Sequence, residues 1–394
     1  MASIARPILE RRLAAEIEGE VRFDAFSCGR YATDASIYQM MPAGVVVPRN
    51  EADIAAALEI AREQGVPVMA RGGGTSQSGQ TVNDALVVDC SKWVNRIIKL
   101  DTEGRRAVVE PGIVLDELNR ALKPHDLWFP VDVSTASRAT IGGMAGNNSC
   151  GARSIRYGMM RDNVHSIEAL LADGSRAHFG KLDGEAGALA GANEATLVRD
   201  LLALGERQRD EIAARFPKVL RRVGGYNIDA LVAGGEPINL AHLLVGSEGT
   251  LALSTQIELK VSALPKNRVL GICHFGSFHA AMDSAQHLVK LNPMGVELVD
   301  STMIALAREI PIFRSTIGEF VRGAPEALLI VEFAEETPQA NQTQLAALCE
   351  MMGDLGFDWR HTGARLGGVV EVTDPGLQAR IANVRTSGLN IMMS

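Results

Sequence analysis

Val68 to Gln80 reads VMARGGGTSQSGQ, an apolar strand-like run that enters three consecutive glycines, a series of hydroxyls and a further glycine. Three glycines in a row cost backbone entropy, and that cost is tolerated where the main chain must take a positive φ or approach a ligand closely. Successive backbone N–H groups in such a turn form a concave nest that binds anions. Thr75, Ser76 and Ser78 add hydroxyls, and Arg71 places a charge at the rim. The pattern predicts a pyrophosphate cradle, with a flexible surface loop as the plain alternative. There is no Gly-Lys-Ser/Thr for a Walker A loop, and contiguous glycines do not make the GxGxxG that opens a Rossmann helix. The chain continues into ALVVD at 85–89, so the loop joins strand to strand.

Outward from this loop the pattern is β-α-β. GVVV at 44–47 reads as a buried strand. Asn50 with Asp53 three residues on marks a helix start, and Ile54, Ala57, Leu58 and Ala61 recur at helical spacing up to a stop at Gly65. Downstream, strands are expected at 107–110 and a helix near 113–123. A hairpin is expected over 164–172 and 175–179, turning at Asp173-Gly174. Helix is expected over 195–222, with a solvated basic face that includes Arg221 and Arg222. The stretch 240–261 is read as strand, Gly-Ser-Glu-Gly turn and strand. After Pro265, strands at 268–275 and 327–333 alternate with helices at 278–291 and 342–355, which predicts a ferredoxin-like α+β unit. The expected organisation is an N-terminal helical extension at 1–30, a first domain at 31–265 and a second at 266–394. The apolar run LNIMM directly before Ser394 suggests that this second domain is incomplete at its C-terminus.

The 394 residues suffice for two or three domains with real cores. A formal charge of −8 speaks against nucleic acid and anionic membrane surfaces as partners, and no apolar run approaches the roughly 20 residues of a membrane span. With no signal-peptide pattern at the N-terminus, a cytoplasmic location is the default. The five cysteines are scattered without a Cys-x-x-Cys, and His274 and His279, five apart, are poorly spaced as ligands, so no metal or iron–sulfur site is expected.

A second glycine-dense constellation begins with PVDVS at 130–134, continues through ATIGGMAGNNSCG at 139–151 and ends in RYG at 156–158. A third is GSEGTL at 246–251. With these three segments in this order, the chain resembles the FAD-linked oxidases of the vanillyl-alcohol-oxidase or PCMH type, a family that includes D-lactate dehydrogenase, glycolate oxidase and D-2-hydroxyglutarate dehydrogenase. The resemblance runs from about Tyr31 to Ala263 and continues more weakly beyond. The wording GNNSCGARS followed by RYGMM is most similar to the large bacterial flavin and iron–sulfur proteins with D-2-hydroxyglutarate dehydrogenase activity.

The resemblance implies a two-subdomain PCMH-type FAD-binding domain followed by a ferredoxin-like cap. It implies that Arg71, Gly72, Gly73, Gly74, Thr75, Ser76, Ser78 and Gly79 wrap the FAD pyrophosphate. It implies that Pro130, Thr140, Gly142, Gly143, Asn147, Ser149 and Gly151 line the isoalloxazine and ribityl side. Val164 would meet the adenine, and Glu248 and Gly249 would close the site. The glycine loop lacks the histidine of many covalent members and Cys150 looks like a small residue packed beside flavin, so FAD is expected to be non-covalent. The metal-ligating histidine segment of the hydroxy-acid members and the cysteine-rich iron–sulfur domain are both absent from this sequence. Arg385 stands where hydroxy-acid members place an arginine on the substrate carboxylate, a role suited to a guanidinium fork. The implied activity is oxidation of a D-2-hydroxy acid by hydride transfer to flavin N5, with a small-molecule substrate and an unspecified electron acceptor. The rivals are a flavin-binding electron-relay subunit and a flavin oxidase of a non-carboxylate alcohol.

Overall fold

The computed structural model describes residues 2–182, 192–234 and 237–393. The chain divides into two units, Met1–Gly151 with Gly158–Ala263, and Ala152–Tyr157 with Leu264–Ser394.

The first unit begins with α1 (Ala2–Glu16), β1 (Glu20–Arg22) and α2 (Ala25–Tyr31), followed by β2 (Gly44–Val47), α3 (Glu51–Glu63), β3 (Val68–Arg71) and β4 (Leu86–Asp89). The strands form one sheet in the order β1-β2-β4-β3, with β2, β4 and β3 mutually parallel and β1 antiparallel at the edge. Helix α3 starts as expected, the Asn50 side chain accepting a hydrogen bond from Asp53 N at 3.0 Å, a cap worth about 1 kcal/mol. Its Ile54, Ala57, Ile60 and Ala61 pack with Val46, Leu86 and Val88. Leu9 and Leu13 of α1 belong to the same core, and β1 pairs with β2. Since β3 and β4 run parallel, residues 72–85 must carry the chain back along the sheet, and the glycine run sits at the start of that return.

A second sheet of the first unit contains β5 (Ile97–Asp101), β6 (Arg106–Val109), β8 (Val164–Leu170), β9 (Arg176–Phe179) and β10 (Leu253–Lys260), after the short β7 (Leu127–Trp128). It is antiparallel throughout in the order β5-β6-β10-β8-β9, while β7 pairs only with β11 (Ser262–Ala263). The Asp173-Gly174 hairpin forms as expected, Gly174 taking φ +85. Helix α4 (Leu115–Leu122) covers this sheet with Leu115, Leu118 and Leu122, all buried on one face.

Residues 141–147, within the second glycine-dense constellation, form α5 (Ile141–Asn147), capped by Thr140 and ended by Asn148 at φ +53. Two expectations need correction. The helix expected over 195–222 is two helices, α7 (Ala192–Arg207) and α8 (Arg209–Arg215), and the chain is non-helical from Phe216 to Arg222. The first strand of 240–261 is instead α9 (Ala241–Leu244), because a four-residue apolar run carries no period that distinguishes the two.

The second unit takes α6 (Ser154–Tyr157) and then β12 (Val269–Phe275), α10 (Phe278–Leu288), β13 (Gly295–Asp300), α11 (Ser301–Glu309), α12 (Pro311–Phe320), β14 (Ala327–Phe333), α13 (Pro338–Asp354), β15 (Gly367–Val372) and α14 (Pro375–Met393). Its antiparallel sheet has the order β13-β14-β12-β15, the strand order of a ferredoxin-like unit. The departure from that plan is the pair α11–α12, inserted between strands that such a unit joins directly. Strand β12 is buried along its whole length because its two faces meet different helices. Cys273 and Phe275 pack with α10 and α13, while Leu270 and Ile272 pack with α11, α12 and α14. The side chains of the apolar run before Ser394 fall outside the described ones. Among the described residues, no helix is long and apolar enough to cross a membrane.

Candidate cofactor site

The two glycine-dense segments meet in the first unit. A side chain at Gly72 would overlap the Thr140 hydroxyl, and one at Gly73 would overlap the Arg138 carbonyl oxygen. Gly73 is therefore glycine because another backbone passes against it. The positive φ values in this loop belong to Gly74 (+62) and Gly79 (+80), the latter against the Tyr38 ring. Thr140 is 1% exposed, and its hydroxyl also accepts from Gly143 N at 3.3 Å, so one side chain supports both the loop and the start of α5. Gly142 is pinned by its N–H on Pro111 O, 2.8 Å away. Among the described residues, none accepts a hydrogen bond from the backbone N–H groups of Gly73, Gly74, Thr75, Ser76 or Ser78. A run of unengaged donors on a turn that glycine holds open fits a diphosphate.

Arg71 is anchored differently from the expectation of a charge at the rim. Its guanidinium donates to Tyr31 O (3.1 Å), Thr81 O (3.0 Å) and Thr33 O (2.7 Å) and lies 5.4 Å from the centre of the Tyr31 ring. Loss of solvent lowers its pKa, while Asp89 and Asp34 act in the opposite sense. The side chain ties both ends of the loop to the segment after α2.

The third segment closes on the second. Gly246 N donates to Ala145 O at 2.9 Å and Glu248 N to Gly146 O at 3.0 Å. Glu248 takes φ +52, unusual for a residue with a side chain, and Gly249 takes φ +75. The Glu248 carboxylate accepts from Asn147 Nδ2 at 3.0 Å, and Gln80 Oε1 accepts from the Ser76 hydroxyl. On the other side, Ser149 Oγ donates to Asn147 Oδ1 at 3.2 Å. The polar chain Glu248–Asn147–Ser149 thus links the third segment to the second. Glu248 is exposed as a whole residue, yet partial loss of solvent around its carboxyl raises its pKa, against the hydrogen bond from Asn147.

A fourth participant, residues 221–227, carries no local signal that marks it for this site. Arg221, expected on a solvated helix face, donates to Gly151 O at 2.7 Å. Arg222 pairs with Asp229, as does Arg161 at 3.1 Å. Loss of solvent acts to raise the Asp229 pKa, but Arg222 and Arg161 hold it below the usual carboxylate range. Tyr226 Oη lies 2.7 Å from Thr250 Oγ1, and Asn227 Nδ2 donates to Val245 O at 2.8 Å.

The remaining candidates are placed as follows. Pro130 is buried, and a side chain at Gly151 would overlap Asp132. Val164 opens β8 with its side chain in the core, 3% exposed. Cys150 is a half-buried free thiol. Of the second constellation, Arg153 and Arg156 belong to the second unit. Arg153 grips Glu332 with Nε at 3.0 Å and Arg156 meets Glu335 at 2.9 Å. Arg385 on α14 pairs with Glu297 on β13, at one end of a cavity of about 180 Å³ otherwise lined by apolar residues that include Met303, Phe320 and Ile381. Among the described residues, no cluster of histidine, cysteine or carboxylate side chains could hold a metal ion.

Residues 42–180 match the family model of the FAD binding domain, and residues 264–390 match that of the C-terminal domain of FAD linked oxidases. The chain is 35% identical over 335 residues to D-2-hydroxyglutarate dehydrogenase of Escherichia coli (strain K12), covering 82% of this chain and 33% of that protein. It is 28% identical over 299 residues to D-lactate dehydrogenase of Archaeoglobus fulgidus, covering 75% of this chain and 55% of that protein. The chain thus spans about a third of the first relative and about half of the second. Among solved structures, alkyldihydroxyacetonephosphate synthase superposes with a TM-score of 0.69 at 16% identity, over 98% of this chain and 63% of that one. At that identity the likeness concerns the fold alone.

Proposed function

The chain belongs to the FAD-linked oxidases, and from that premise we propose that it oxidises the α-carbon of a D-2-hydroxy acid of the D-2-hydroxyglutarate or D-lactate class. The observation that carries the reading is the convergence of the three glycine-bearing segments, the first on the second at Gly72–Thr140 and Gly73–Arg138 and the third on the second at Glu248–Asn147 and Gly246–Ala145. When bound, FAD supplies the two-electron acceptor for the hydride that leaves the α-carbon. The protein's own residues bind and orient.

The amides of residues 73–76, with the hydroxyls of Thr75, Ser76 and Ser78, hold the diphosphate. Gly72, Gly79 and Arg71 shape this loop, Arg71 through its carbonyl contacts. Thr140, Gly142, Gly143, Asn147, Ser149 and Gly151 line the ring side, with Pro130 and Val164 behind them, and Glu248 and Gly249 close it. Non-covalent attachment fits a glycine loop without histidine. Arg385 receives the substrate carboxylate by exchanging it for Glu297, and the bidentate geometry of a guanidinium suits that exchange.

The test is anaerobic addition of D-2-hydroxyglutarate, D-lactate and their L-enantiomers to the flavin-loaded protein, followed by the visible absorbance. Bleaching by D- and not L-acids supports the reading. Bleaching by a simple alcohol and by neither acid would replace it with the non-carboxylate alternative.

A further inference from the structure

We propose that Arg138, brought by the second segment to the glycine loop of the first, supplies the cation that binds the FAD diphosphate. The proposal rests on the reading that these segments hold FAD. A diphosphate is an anion, and backbone amides answer it with hydrogen bonds and dipoles but no formal charge. Residues 68–80, 130–151, 221–227 and 246–251 contain no lysine and four arginines, Arg71, Arg138, Arg221 and Arg222. Three of these are already engaged. Arg71 spends its guanidinium on the carbonyls of Tyr31, Thr33 and Thr81. Arg221 holds Gly151 O, and Arg222 is paired with Asp229. Arg138 is exposed, and among the described residues its guanidinium has no hydrogen-bond or ion-pair partner.

The backbone of Arg138, by contrast, is fixed against the loop. Its carbonyl oxygen would lie 2.2 Å from a Cβ at Gly73, so Arg138 stands beside the central glycine of the run. The turn that carries it is closed by Arg138 N and Ala139 N, which both donate to Thr135 O at 2.8 Å. That turn is fastened to the start of α4, where Leu115 N donates to Ala139 O at 3.0 Å and Asp116 N to Ala136 O at 3.1 Å. Binding residues typically stand on loops that a rigid scaffold positions. Arg138 has a held backbone and a charged head that the fold does not use. A guanidinium also presents a fork of donors that matches a pair of phosphate oxygens. The glycine loop thus contributes amides and hydroxyls, and Arg138 contributes the charge.

Apoproteins of the wild type, Arg138→Gln, Arg138→Lys and Arg199→Gln would be titrated with FAD by quenching of flavin fluorescence, at low and at high salt. Arg199 lies on α7 outside the four segments, with its side chain 71% exposed, and its substitution removes the same charge. Loss of a hydrogen bond between charged groups should weaken FAD binding by about tenfold in Arg138→Gln. Arg138→Lys keeps the charge without the fork and should fall between Arg138→Gln and the wild type, while Arg199→Gln should bind as the wild type does. Added salt should weaken the wild type more than Arg138→Gln, because it screens the attraction that the variant lacks. ADP carries a diphosphate without the flavin, and as a competitor of FAD it should lose affinity in Arg138→Gln to a similar degree. Apoprotein melting temperatures should agree, since the Arg138 head makes no contact in the fold. Wild-type FAD affinity in Arg138→Gln overturns the assignment. So does an equal loss in Arg199→Gln, which would mark a general effect of charge. A loss for FAD with none for ADP overturns the diphosphate role. If ADP displaces FAD from neither protein, the FAD titrations decide alone. A wild type that takes up no FAD overturns the cofactor reading, and the assignment of Arg138 with it.

Discussion

The Thr140 hydroxyl occupies the space that a side chain at Gly72 would need. That one relationship locks two segments, 68 residues apart in the chain, into a single surface. Glycine is required at position 72 for contact rather than for conformation.

Gly72→Ala and Gly73→Ala should therefore fail by overlap with Thr140 and with the Arg138 carbonyl. Overpacking of this kind costs typically about 1–3 kcal/mol. The position-73 variant should suffer more, because its obstacle is backbone and cannot rotate away. The measurement is urea denaturation of the apoprotein together with FAD affinity. Thr140→Ser keeps the hydroxyl and should be close to wild type in both.

Arg71 separates two roles for a loop arginine. If it serves through its three carbonyl contacts, then Arg71→Lys should lower apoprotein stability by about 2 kcal/mol, since hydrogen bonds to charged groups contribute about 1.5–3 kcal/mol and an ammonium cannot span three separate carbonyls. If its charge alone mattered, Arg71→Lys would keep both stability and FAD affinity. Equilibrium unfolding of the apoprotein distinguishes the two.

His274 predicts a pH dependence. It is fully buried on β12, with Nδ1 2.9 Å from Ile272 O and Nε2 accepting from Arg322 N at 3.0 Å. Nδ1 therefore carries the proton and the ring is neutral. Burial is the main cause that pushes its pKa down from 6.5 to about 4, with Arg322 adding to it. Between those values the unfolded chain binds the proton and the folded chain does not. The contribution is complete above pH 6.5 and is lost as pH falls through about 4. Melting temperatures between pH 7 and pH 4 should fall more steeply for the wild type than for His274→Gln, where the carboxylate contributions are common to both. Equal slopes would remove His274 from the account.

Arg385 and Glu297 are coupled beside an apolar cavity. Removing the cation alone, as in Arg385→Leu, strands a partly buried carboxylate. The full burial cost is 3–5 kcal/mol, and solvent at Glu297 reduces it to roughly 1–3 kcal/mol here. Glu297→Gln in the same chain should restore most of that stability while leaving substrate binding impaired. Unfolding midpoints of the single and double variants test the first statement, and flavin reduction by D-2-hydroxy acids tests the second.

Much of this architecture was legible in the sequence, and the failures have physical causes. The β-α-β run into Gly72 could be read because Asn50, the spacing from Ile54 to Ala61, and Gly65 each signal locally. Helix α5 was hidden because three of its seven residues are glycine, and packing against Pro111 and Thr140 overrides that poor propensity. Arg221 and Arg222 looked like a solvated face because nothing local reveals that Gly151 O and Asp229 come to meet them. The expected ferredoxin-like unit appeared, yet the α11–α12 insertion did not announce itself, since the sequence around Pro311 marks a helix start without saying what it interrupts.

The central claim, that the three segments form one FAD site, is tested most directly by FAD titration of two purified apoproteins, the wild type and Gly73→Val. The wild type should take up one FAD per chain, give a flavin spectrum and release the flavin on acid precipitation. Gly73→Val should show an unchanged far-ultraviolet circular dichroism spectrum and take up no FAD. Wild-type affinity in Gly73→Val, or no uptake by the wild type, would contradict the account.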